Sequence, residues 1–98
     1  MLIPKKIRVS KKWFTVLQPD VITPGRPMGR ISYGVQLIQV AQIDRRGQRF
    51  KREERYDTFW HELTHAILAD MEHPLERNEK FVRAFANRLT GAILSAKF

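Results

Sequence analysis

At the turn DRRGQ, residues 44–48, the spacing of apolar residues changes, and that change limits what this chain can fold into. Before the turn, IRVSKKWFTVLQ and RISYGVQLIQVAQI are rich in Ile, Val and aromatic residues with partial alternation. That is the period of strands, whose successive side chains leave opposite faces. After it, Trp60, Leu63, Ile67 and Met71 recur at intervals of three, four and four, with Phe59 and Ala66 beside them. This spacing lines one face of a helix. A helix is therefore predicted from about Lys51, ended by Pro74. From about Glu76 a second helical pattern runs to the C-terminus, with Phe81, Val82, Phe85, Ala86, Leu89 and Ile93 as its buried stripe. Strands followed by helices make an α+β class.

The first apolar stretch gives one or two short strands. PDVITPGRPMG follows, and its three prolines and two glycines in eleven residues mark a loop. The second stretch has Gly34 near its middle and reads as a hairpin, about residues 29–33 pairing with about 37–43. One continuous strand bulged at the glycine is the alternative. The expected architecture is a small antiparallel sheet of about three strands packed on two helices, in a single domain of residues 1–98 with no internal repeat.

A 98-residue chain forms one thin core, burying roughly 60–65% of the surface its unfolded form exposes. Without cysteine, neither a disulfide nor a thiolate metal site can supplement that core, so any metal must be held by His, Asp or Glu. No apolar run approaches the 18 or so residues of a membrane span. MLIPKKIRVSKK has charge but no apolar core or cleavage site of a signal peptide, so a soluble, cytoplasmic protein is expected. The net charge of +8 is unevenly placed: residues 1–55 hold 13 Lys/Arg against 4 Asp/Glu, and residues 56–98 hold 5 against 6.

Two of the three histidines fall in HELTH, residues 61–65, inside the first predicted helix. At 100° per residue His61 and His65 lie about 40° apart and one turn from each other, so both imidazoles can reach one cation. Glu62 sits at the edge of that face, able to reach a water without being a ligand, which is what H-E-x-x-H needs for hydrolysis at zinc. A third ligand must come from Asp70, Glu72, His73, Glu76 or Glu79. Asp70 and Glu72 follow on the same helix and are poorly aimed at the same ion. On the second helix Glu79 borders the stripe of Val82, Ala86 and Ile93, whereas Glu76 projects toward Lys80 and Asn87. Glu79 is the expected inward carboxylate, with Glu76 as its substitute. His73, just before Pro74, reads as a helix C-terminal residue.

HELTH, with the glutamate of NEKFV fourteen residues after its second histidine, resembles the gluzincin pattern of thermolysin-like and aminopeptidase-like zinc metallopeptidases. A hairpin before HELTHAIL and a terminal helix carrying Glu79 and FANRL is similar to small phage- and prophage-encoded zincins, related in outline to the ImmA/IrrE and SprT-like groups. The resemblance covers about residues 29–96. It implies a zincin-like fold, His61, His65 and Glu79 as zinc ligands, Glu62 as general base, and a peptide substrate laid along the sheet's edge strand in the cytoplasm of a bacterium or a phage-infected cell. Two departures stand out. Where larger gluzincins place an acidic residue four after the third ligand to orient a histidine, this chain has Arg83, which leaves Asp57 as a candidate orienting group. The linker before Glu79 is also short, so the chain must turn back sharply at HPLE. For the oxyanion-stabilising group the sequence offers Tyr33, Tyr56 and His73.

The run RRGQRFKREER, residues 45–55, places Arg and Lys where they oppose a helix dipole, partly offset by Glu53 and Glu54. Such a patch suits phosphates or an acidic protein. The rival expectation to a peptidase is therefore a zincin-shaped binding module, with or without metal, that docks DNA or an acidic partner through its basic N-terminal half.

Overall fold

The computed structural model of the chain describes residues 3–98; the expected domain also counts Met1 and Leu2, which lie outside the described residues. The fold is α+β, with strands β1 (Lys6–Val9), β2 (Lys12–Leu17), β3 (Gly29–Ser32) and β4 (Leu37–Val40), then helices α1 (Arg52–Asp70) and α2 (Glu79–Ser95). A short 3-10 turn, Pro74–Arg77, joins the helices. The sheet order is β1-β2-β4-β3.

The strand count and the sheet type differ from expectation. Four strands form a mixed sheet, because β2 and β4 run parallel (Val16 opposite Ile38) while the two hairpins are antiparallel. The reason lies in composition. β4 reads LIQV and β3 reads GRIS, so β4, with Ile38 and Val40 fully buried, takes the interior place beside β2. β3 is left at the edge, and the proline-rich loop spans the end of β4 to reach it. That loop is tied down by hydrogen bonds from the Gln42 and Ile43 amides to the carbonyls of Pro19 and Asp20, both 2.9 Å, and by Ile22, only 1% exposed. These bonds also take residues 42 and 43 out of the second hairpin, whose last strand ends at Val40.

α1 starts where expected, with the Lys51 amide donating to Glu54 Oε1 at 2.9 Å. It stops at Asp70, before Pro74 is reached. The amides of Glu72 and His73 bond back to the carbonyls of Ala69 and Leu68, a Schellman turn with Glu72 in the left-handed region at φ 52°. Pro74 then opens the 3-10 turn, which contains Glu76, and Asn78 caps α2 by accepting from the Phe81 amide at 3.0 Å.

The core is Phe14, Val16, Ile38 and Val40 from the sheet against Phe59, Leu63 and Ala66 from α1. The helix stripes are displaced from the expected ones. α1 is packed on two sides, the sheet and α2, so its apolar residues divide between them, and Ile67 and Met71 border a groove where they stay 43% and 61% exposed. On α2 the buried line is Val82, Ala86 and Thr90, while Phe81 and Phe85 stack on each other at the same groove. α2 packs on α1 and touches no strand among the described residues. No helix there is long and apolar enough to cross a membrane.

One glycine fixes how β3 meets α1. A Cβ built on Gly29 would stand 2.5 Å from Thr58 Cγ2 and 3.1 Å from Glu62 Cγ, closer than packed atoms tolerate. Gly29→Ala is expected to push the edge strand off the helix and to lower stability by about 1–3 kcal/mol in a urea titration. Gly34→Ala, with nothing within 4 Å of its new Cβ, should stay within about 0.5 kcal/mol of the parent. Equal effects of the two substitutions would contradict this packing.

Candidate metal centre and cleft

Helical periodicity brings His61 and His65 to one side of α1, their ring centroids 5.1 Å apart. The reversal through the Schellman turn and Pro74–Arg77 returns the chain so that the first residue of α2, Glu79, faces both rings. His61 Nε2 lies 3.0 Å from Glu79 Oε2 and His65 Nε2 lies 2.7 Å from Glu79 Oε1. One ligand atom from each of the three residues falls within 4.8 Å of the others. Glu79 thus divides its two oxygens between two imidazoles.

The donor set fits a divalent cation for a reason visible in the hydrogen bonds. His65 Nδ1 lies 2.8 Å from the Glu76 carbonyl oxygen, which can only accept, so Nδ1 carries the proton. In the neutral ring Nε2 then presents a lone pair to a carboxylate oxygen 2.7 Å away. Two acceptors at that distance require a proton or a cation between them. Burial lowers the His61 pKa, opposed by Glu79 and assisted by His65, which favours the neutral ring that ligates metal. Ligand atoms on a tetrahedral zinc, at about 2.0–2.1 Å from it, stand about 3.3 Å apart, so each imidazole and the carboxylate oxygen it meets need separate by only a few tenths of an ångström. All donors are nitrogen or oxygen, compatible with zinc and with other divalent ions.

The remaining sequence candidates lie elsewhere. Glu76 contributes its carbonyl to His65, and its carboxylate accepts from the Tyr33 hydroxyl at 3.0 Å. Burial, then the bond and charge of Glu76, hold the Tyr33 hydroxyl well above its usual pKa. His73 Nδ1 accepts from the Leu75 amide at 3.1 Å and so caps the 3-10 turn. Asp70 and Glu72 stand outside the cluster of His61, His65 and Glu79. Tyr56 is a core residue, 4% exposed. Asp57 accepts from Thr90 Oγ1 at 3.1 Å, so the orienting contact to a histidine comes from the Glu76 main chain instead. Sequence reasoning could not find it, because a backbone carbonyl carries no residue signature.

Beside the cluster opens a cleft of about 520 Å³, bordered by Met28 and Gly29 of the edge-strand region and by His61, Glu62, Glu79 and Arg83. Tyr33, Tyr56 and His73 do not line it. Glu62 is 7% exposed, and desolvation, opposed by His65 and reinforced by Glu79, raises its pKa from 4.5 to about 7. Gly29 is a cleft residue that the HELTH reading did not single out, and Arg83 entered it only as a departure from the gluzincin pattern. The close approach of Gly29 to Glu62 Cγ depends on the sheet order, and Arg83 lies one turn along α2 from Glu79.

Set against protein-family models, curated proteins and solved structures, the chain matches none.

The raised Glu62 pKa has a measurable sign. A carboxyl whose folded-state pKa lies above its unfolded value holds its proton more tightly in the fold, so stability falls as pH rises from about 4.5 to about 7 and the loss is complete above that. In chelator-treated protein, Glu62→Gln is expected to gain roughly 2–3 kcal/mol relative to the parent at pH 8 and almost nothing at pH 4. Urea titrations at the two pH values check this; a pH-independent difference would contradict it.

Proposed function

We propose that this protein is a zinc-dependent peptidase that hydrolyses peptide bonds of a protein substrate in the cytoplasm, with a site of the gluzincin pattern. The observation that carries the reading is the convergence of two imidazole nitrogens and a carboxylate from two helices, at the wall of a cleft that also contains a buried glutamate. His61, His65 and Glu79 would hold the ion. When bound, such a cation supplies Lewis acidity, making water more acidic and polarising a carbonyl.

The chain's own groups perform the rest. Glu62 borders the cleft without belonging to the ligand cluster, so it can take a proton from the attacking water. As the water oxygen bonds to the carbonyl carbon and the C–N bond breaks, Glu62 returns that proton to the leaving amine. His65 is kept in its Nδ1-protonated tautomer by the Glu76 carbonyl, leaving Nε2 free as a ligand.

The edge strand supplies a place for the substrate backbone. The Met28 carbonyl accepts from Ala41, so in the antiparallel register Met28, Arg30 and Ser32 turn their main-chain groups toward β4. Gly29 and Ile31 therefore turn theirs to the free edge. An extended peptide can pair there as a further strand, with its main chain passing close to Glu62. The absence of a side chain on Gly29 lets β3 approach α1 at that point.

Glu62→Gln is expected to retain bound zinc while losing about 10²–10⁴-fold in cleavage of a denatured-casein peptide mixture followed by mass spectrometry. Glu79→Ala should lose zinc, whereas Glu76→Gln should retain it, because Glu76 acts on the site through its carbonyl. Elemental analysis and cleavage are read on the same preparations. Undiminished cleavage by the Glu62→Gln protein, or no cleavage by the zinc-loaded parent, would contradict the proposal.

A further inference from the structure

We propose that the outer face of the sheet binds single-stranded nucleic acid, with Trp13 stacking on a base and Lys6 and Arg8 meeting the flanking phosphates. α1 covers the inner face and α2 touches no strand, so among the described residues no helix lies on the outer one. The alternation in β1 and β2 turns Ile7, Val9, Phe14 and Val16 inward and Lys6, Arg8, Trp13, Thr15 and Leu17 outward. Trp13 is 53% exposed, an unusual position for the largest apolar side chain in a thin fold.

The hairpin register gathers charge around that ring. Arg8 lies directly opposite Trp13 and Lys6 opposite Thr15. Lys6 Nζ and Arg8 Cζ lie over the ring, 5.3 and 5.6 Å from its centroid, so a base that stacks there displaces a cation from the ring face toward the flanking phosphates. Lys11 extends the charge at the turn that joins the two strands, whereas Lys12, opposite the inward Val9, belongs to the inner side; the first acidic residue in the chain is Asp20. Among the described residues, Lys6, Arg8 and Lys11 have no carboxylate within ion-pair distance. Their charge is complementary to a polyanion.

Three features favour a single strand over other anionic partners. The faces of paired bases in a duplex are covered by their neighbours, whereas a splayed-out base of a single strand can stack on an exposed ring. Thr15 and, on the neighbouring strands, Gln39 and Ser32 share the outer face, offering donors and acceptors to base edges. An anionic bilayer would instead favour a broader apolar surface around the tryptophan. The basic run at residues 45–55, by contrast, spends Arg45 and Arg49 on hydrogen bonds to the Gly25 carbonyl and to Gln42 Oε1, both 2.9 Å, which pin loops. The sheet face lies outside the cleft of the proposed peptidase site and does not depend on it.

The test is fluorescence anisotropy with labelled 12-nucleotide oligo-dT and oligo-rU, titrated with the full chain at 50 and 200 mM salt. Labelled duplex, polyglutamate and phosphatidylserine vesicles serve as comparisons. Both single strands are expected to bind, more tightly than any comparison. Trp13→Ala should weaken binding about 5- to 150-fold, the range of one base–aromatic stack. Lys6→Gln with Arg8→Gln should reduce the slope of log affinity against log salt by about 1.4, two phosphate contacts on a single strand. All three positions are exposed, and urea titrations of the variants establish that they fold. Duplex, polyglutamate or vesicles binding as tightly as the single strands, or Trp13→Ala leaving affinity unchanged, would overturn the assignment.

Discussion

α1 is held from two sides, and everything else in the molecule is arranged around that fact. Phe59, Leu63 and Ala66 press it against the inner face of the sheet, while α2 lies along its other flank. A helix gripped on two faces cannot rotate, so the side chains between the two contacts point in fixed directions. His61, Glu62 and His65 occupy that intermediate arc. The core that does this is small, but it is continuous from Phe14 to Ala66 and contains no charged residue.

The second requirement is a carboxylate delivered to the two rings at the right height. The Schellman turn at Glu72, the 3-10 turn at Pro74 and the Asn78 cap reverse the chain within the eight residues between α1 and α2, so Glu79 opens α2 opposite the histidines. The same reversal brings the Glu76 carbonyl onto His65 Nδ1. A single short connection thus supplies one ligand candidate and the group that sets the tautomer of another. Asn78 has a structural role there: its side chain satisfies a free amide at the start of α2.

Much of this was legible in the residues. The change of period at residues 44–48 separates strands from helices where the chain does, and the segment from residue 29 pairs with the segment from residue 37 as the hairpin reading expects, although the register was not given by it. Glu79 is the carboxylate that meets both rings, as expected, but the helical angles compared it with Glu76 as if both lay on α2, whereas Glu76 lies in the 3-10 turn with its carboxylate turned in on Tyr33. What was not legible depends on contacts between distant segments. Nothing in the local pattern says that β4 rather than β3 would lie beside β2, because that choice depends on which strand of the hairpin is the more apolar once a neighbour is present. The stripes on α1 and α2 were misplaced for a similar reason: periodicity locates an apolar face but does not tell how two neighbours will divide it. Arg8 and Trp13 are five residues apart in sequence and directly opposite across a hairpin, so their proximity depends on the turn at Ser10 and Lys11.

The two faces of the sheet carry different chemistry. The inner one supports α1, and the cleft opens where the free edge of β3 meets that helix; the outer one presents cations around an exposed ring. The claim on which the functional account rests is that His61, His65 and Glu79 bind one ion with a coordination position left over. Zinc K-edge X-ray absorption on protein loaded with one equivalent of the metal tests it most directly. The account requires a first shell of about four nitrogen and oxygen atoms near 2.0–2.1 Å, one more than the three protein donors, with multiple scattering from two imidazoles. A shell of six oxygens with no imidazole scattering would contradict it.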